Sequence, residues 1–156
     1  MCSVAIHLIE QMGKKFFIST EIDGDQLVES TIVTALEGGS NYWYWVKCDE
    51  HWFEVAKRYD KTIAATEEPK RESYSPLSIR ISNALLNVQD FEINIYDLEN
   101  PDEKIGKLNL ANFVKGCEIC ALNYPEIWER LVNEDYDADD ADVLFQLATL
   151  GEVVYG

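Results

Sequence analysis

Four consecutive aromatic residues, Tyr42, Trp43, Tyr44 and Trp45, follow the small and polar run Gly38-Gly39-Ser40-Asn41. Ring-bearing side chains offer stacking surfaces for a planar ligand, each worth about 1–3 kcal/mol per base in nucleic-acid complexes. Small residues beside them let backbone amides approach an anionic or carbonyl group. Successive side chains on an extended segment point to opposite faces, which pairs Tyr42 with Tyr44 and Trp43 with Trp45. Four such rings cannot all enter one core, so the surplus is expected to line a cleft or an interface. The candidate ligand-binding residues are Gly38, Gly39, Ser40, Asn41, Tyr42, Trp43, Tyr44 and Trp45, with Arg71, Lys70 or Arg80 as countercharges for an anion. A phosphate-loop template does not apply, because no Gly-Lys-Ser/Thr follows the glycines and they end a helical pattern instead of opening one.

Other residue types with chemical potential are less well arranged. Cys48 and His51 are neighbours in sequence but have no evident oxyanion loop, and Asp49, Glu50 and His51 fit no metal-ligand spacing. Cys117 and Cys120 have knuckle spacing, yet zinc needs a second such pair or two spaced histidines, and the histidines are His7 and His51 alone. Both cysteines fall inside a helical apolar pattern, where thiols act as small buried hydrophobes. The run from Asp135 to Asp142 invites a calcium reading, but the places that need Gly and Glu hold Asp140 and Gln146. No catalytic residue, metal site or cofactor is therefore assigned.

These residues sit in a chain of 156 residues with 47% hydrophobic content, enough for one globular domain over 1–156 that buries roughly two thirds of its unfolded surface. The start Met1-Cys2-Ser3-Val4 lacks the basic opening of a signal peptide, and no run of about 18 apolar residues occurs. A soluble cytoplasmic protein with no membrane partner is expected. Thirteen Lys and Arg against 29 Asp and Glu leave a net charge of −16, which disfavours nonspecific binding to nucleic acid. Residues 126 to 142 hold eight acids and the single base Arg130. Such a row is either a set of solvated helix caps or a phosphate-like surface that imitates DNA toward a basic partner protein.

The elements that must position the aromatic run follow from spacing. Val4–Ile9 and Lys14–Ile22 suggest strands, and Asp23 with Gln26 suggests a reciprocal helix cap before Val28, Ile32 and Ala35. Gly38 and Gly39 are expected to stop that helix in the left-handed conformation. A short helix is expected over Asp49–Tyr59, a long loop over 60–75, and a helix opened by Ser75-Pro76 with Leu77, Ile81, Ala84 and Leu85 inward. Phe91, Ile93 and Ile95 alternate with polar residues as a strand, and Lys104–Leu108 returns as its hairpin partner. Asn109 can cap a helix, Pro125 can open another, and a last helix runs from about Asp139 to Leu150 before Gly151. The tail Glu152–Gly156 is apolar enough to add an edge strand. The sum is an α+β fold, a single helix-rich domain with a small antiparallel sheet or hairpin.

The segments Ala35-Leu36-Glu37-Gly38-Gly39-Ser40-Asn41-Tyr42-Trp43, Pro76-Leu77-Ser78, Ile95-Tyr96-Asp97 and Asp139-Asp140-Ala141-Asp142 through Gly151-Glu152-Val153-Val154-Tyr155-Gly156 resemble those of a group of small bacteriophage and mobile-element proteins. The resemblance implies an accessory, anti-defence role in the cytoplasm of a bacterial host. Proteins of that kind sequester a nucleotide signal or block a host protein. The expectation is thus a non-enzymatic, homo-oligomeric protein that captures a small nucleotide-like ligand. The alternatives are an acidic DNA mimic bound to a basic host protein and, third, a nucleotide hydrolase using His51 or nearby acids.

Overall fold

The computed structural model describes residues 3–11, 14–47 and 76–156, with side-chain placement from Ile22 onward. The expected helix over Asp49–Tyr59, the loop over 60–75, Cys48, His51, Lys70 and Arg71 lie outside the described residues. An N-terminal antiparallel hairpin pairs β1 (Ser3–Gln11) with β2 (Lys14–Glu21), with an irregularity between His7 and Glu10. Helix α1 (Gly24–Thr34) follows, and Asp23 caps it by accepting the Gln26 amide at 3.1 Å. The Gln26 side chain does not return the cap: its amide nitrogen donates to Glu134 Oε1 at 2.6 Å, tying this end of α1 to a distant turn.

Strand β3 (Tyr44–Val46) is the edge of a three-stranded antiparallel sheet in the order β3-β4-β5, with β4 at Glu92–Asp97 and β5 at Lys104–Asn109. The alternation expected of β4 is present, since Ile93 and Ile95 are buried and Glu92 and Asn94 exposed. Helix α2 (Leu77–Asn87) begins one residue after Pro76, which stands at its N-cap. Asn109 ends β5 and caps α3 (Leu110–Asn123) by accepting the Asn112 amide at 2.8 Å. Pro125 opens α4 (Pro125–Val132), where its missing N–H costs nothing.

Helix α5 (Ala138–Thr149) runs through the centre, against α1, α3 and β5. Ala141, Leu144 and Phe145 on it are fully buried, and a helix apolar around most of its circumference needs cover on every side. The cover is close. A Cβ on Gly116 of α3 would stand 2.7 Å from the Ala148 amide nitrogen, so only glycine lets the two backbones approach this far. Cys117 and Cys120, on the same helix, are buried and form no disulfide, and burial pushes the Cys120 thiol up to about 12. No helix among the described residues is long and apolar enough to cross a membrane. The fold is α+β, with helices around a small antiparallel sheet.

Candidate functional site

The glycines after α1 do not adopt the left-handed conformation expected of a helix stop. Ala35–Gly39 instead continue the helix as one wider π turn, closed by the Ser40 amide donating to the Ala35 carbonyl at 2.9 Å. The reason lies in packing. A Cβ on Gly39 would come within 2.6 Å of the Ala138 carbonyl oxygen, so glycine is required here for close approach to α5 and not for backbone handedness. The backbone groups left over at this helix end are carbonyls at the negative end of its dipole. Gly38, Gly39 and Ser40 therefore offer no amide cradle to an anion. Ser40 is fully buried.

Residues 41–43 form a turn, and the strand begins only at Tyr44. The pairing of alternate rings expected for a fully extended run consequently fails. Trp43 is 2% exposed, whereas Tyr42 and Trp45 are each 50% exposed. Trp43 stacks on Tyr155 with ring centres 5.1 Å apart and planes 9° from parallel, and it lies 5.7 Å from Phe145. Its indole Nε1–H donates to Asp142 Oδ1 at 2.7 Å, which satisfies the polar end of a buried indole. Trp43 is a core residue and presents no face to a ligand.

Asp142 organises this closed side. Tyr42 OH donates to its Oδ2 at 2.8 Å, and Gln146 Nε2 donates to the same oxygen at 2.8 Å. Asp142 thus accepts three hydrogen bonds from side chains. Burial, ahead of the bond to Asp142, pushes Tyr42 up to about 12; burial and then the charge of Asp142 do the same to Tyr44. Gln146 Oε1 also accepts the amides of Val154 and Tyr155 at 2.8 Å each. The tail is thus held by a side chain and adds no strand to the sheet. Asp142 and Gln146 were absent from the sequence-derived site. The available signal was their i, i+4 spacing among the apolar residues of this helix, together with the need of a buried tryptophan for an acceptor.

The open side is a groove of about 730 Å³ between the π turn, β3 and α2. Leu36, Tyr44, Trp45, Leu77, Ile81 and Leu98 form its apolar walls, and Glu37, Asn41, Lys47 and Ser78 supply its polar groups. Ser78 Oγ donates to Glu37 Oε1 at 2.6 Å, and Tyr44 OH donates to the Leu36 carbonyl at 3.4 Å. Lys47 pairs with Asp102 at 3.1 Å and lies 4.5 Å from the centre of the Tyr96 ring. Of the sequence-derived candidates, Asn41, Tyr44 and Trp45 meet here. Arg80 does not: it is buried on α2, outside the groove walls. Glu37, Lys47 and Ser78 were not anticipated, because isolated polar residues carry no spacing signal.

The acid row is partly consumed by the fold. Asp137 caps α5 reciprocally with Asp140, Asp140 takes a two-pronged ion pair from Arg130, and Asp142 is buried as described. That pair, first through its hydrogen bonds, holds Asp140 below the usual carboxylate range. Glu126, Glu129, Glu134, Asp135 and Asp139 remain exposed. Among the described residues no cluster of His, Cys, Asp and Glu is suited to hold a metal. No family model matches the chain, nor does any curated protein or solved structure.

Proposed function

We propose that the protein is a non-enzymatic binder that captures a small nucleotide-like ligand in the groove between β3 and α2, as a phage-type accessory protein would to withdraw a signal. The observation that carries this is Trp45: a half-exposed indole on the wall of an apolar groove large enough for a nucleotide. A ring stacked on Trp45 would find the Asn41 amide on the same groove, which both donates and accepts. Lys47 is the one base on the described walls, and its exposed pair with Asp102 is weak enough to exchange for a phosphate. With one base against a chain charge of −16, the favoured ligands are nucleosides and cyclic nucleotides with few charges, not polyphosphates.

The test is calorimetry against cyclic and ADP-ribose-type nucleotides, with chromatography of the recovered ligand. The expected result is saturable binding, weakened about 10-fold or more in a folded Trp45→Ala variant, and nucleotide recovered intact. Absence of binding across the panel, or equal binding by that variant, overturns the proposal; hydrolysed nucleotide overturns its non-enzymatic part.

A further inference from the structure

We infer that the captured ring is of guanine type, with two adjacent N–H donors on one edge, and that Glu37 is the residue that reads it; this rests on the capture function proposed above. Glu37 lines the same groove as Trp45 and Asn41. Its carboxylate is seated by Ser78, which is 2% exposed and donates to Oε1 at 2.6 Å. Among the described residues no lysine or arginine pairs with it. The two oxygens of a carboxylate side chain offer several lone pairs, of which Ser78 takes one.

An edge that donates is the natural complement to those lone pairs. The N1–H and exocyclic amino group of guanine form a planar fork that meets both carboxylate oxygens, the geometry that makes bidentate carboxylate contacts selective. Adenine presents one amino group beside a ring nitrogen whose lone pair would face the carboxylate. Hypoxanthine keeps the N1–H and lacks the amino group. Asn41 can turn its amide to suit any edge, so selection falls on Glu37.

The experiment titrates the intact protein with guanosine, inosine and adenosine monophosphates at fixed salt, following tryptophan fluorescence and calorimetry. The expected order is guanine tightest, with inosine and adenine each weaker by about 10-fold or more, the scale of one bidentate base contact. Glu37→Gln retains an acceptor for Ser78 but sets an amide donor against the guanine edge and a donor–acceptor pair that suits adenine, and should abolish or reverse the preference for guanine. Ser78→Ala, which unseats the carboxylate, should reduce the preference without removing it. Equal affinity for guanine and adenine, or an equal loss for every nucleotide in Glu37→Gln, overturns the guanine assignment and leaves the capture function standing. Tighter binding of agmatine than of guanosine monophosphate overturns it too, because the groove would then be reading charge. If no nucleotide binds, both fall together.

Discussion

Trp43 and Trp45 are two residues apart in one aromatic run and have opposite fates. The first sits behind the chain turn at 41–43, its indole tied to Asp142 and covered by Tyr155. The second sits on the edge strand, half exposed, among the residues that line a groove. The same side-chain chemistry holds the fold together on one side and is free to meet a ligand on the other. The deciding factor is whether a partner for the indole N–H and a covering ring are supplied from elsewhere in the chain. The C-terminal tail and α5 supply both to Trp43.

The sharpest way to break this contrast is to truncate each tryptophan. Trp43→Ala should cost about 3–5 kcal/mol in denaturant unfolding, from lost burial and the cavity left beside Phe145. Trp45→Ala should change stability by less than about 0.5 kcal/mol while weakening groove binding about 10-fold or more. Comparable stability losses in the two variants would mean that Trp45 is as structural as Trp43.

The next contrast is between adjacent glycines. Gly39→Ala forces a Cβ against the Ala138 carbonyl and should cost about 1–3 kcal/mol. Gly38→Ala meets open space and should be neutral or stabilising by up to about 1 kcal/mol. A tolerated Gly39→Ala would show that the π turn can move off α5.

The closed side should also be visible in alkali. Tyr42 and Tyr44 titrate higher in the folded state than their ordinary value of 10.0, so the stability they contribute is present below about pH 10 and lost as pH rises through about 12. Tyr44 accounts for up to about 2 kcal/mol of this loss; Tyr42, half exposed, accounts for less. Absorbance titration of Tyr44→Phe should lack one late-ionising phenol, and its unfolding free energy should fall less steeply over that window. The acid side behaves in the opposite sense. Asp140 is held low by Arg130, so its contribution is present above the ordinary carboxylate value and is lost as pH falls through the folded one. Asp140→Asn should flatten the acid limb of the stability curve, read as the urea midpoint against pH. This is the smallest of the four effects, because Arg130 is partly exposed.

Much of the frame was legible because its signals are local. Asn109 and Asp23 cap helices through their own side chains, Pro125 opens α4, and Ile93 and Ile95 alternate in β4, each set by residues a few positions apart. The candidate site was legible only in part. Asn41, Tyr44 and Trp45 reach the groove, but the period-two assignment of the rings failed because the strand starts two residues later than the aromatic run. The glycine pair was visible as a helix end, yet its conformation was set by the Ala138 carbonyl, about 100 residues away in the chain.

From composition and spacing alone came the α+β class, most element boundaries, the acidic character and the crowding of rings into one short stretch, since these depend on nearest neighbours and on counting. Which ring is sealed and which is open was decided only in three dimensions. Asp142 and Tyr155 reach Trp43 from the far end of the chain, Gln146 ties those two together, and Ser78 reaches Glu37 from α2. Contacts of that kind depend on how helices pack. Packing answers to volume and to unmet hydrogen bonds, and neither leaves a periodic mark in the sequence.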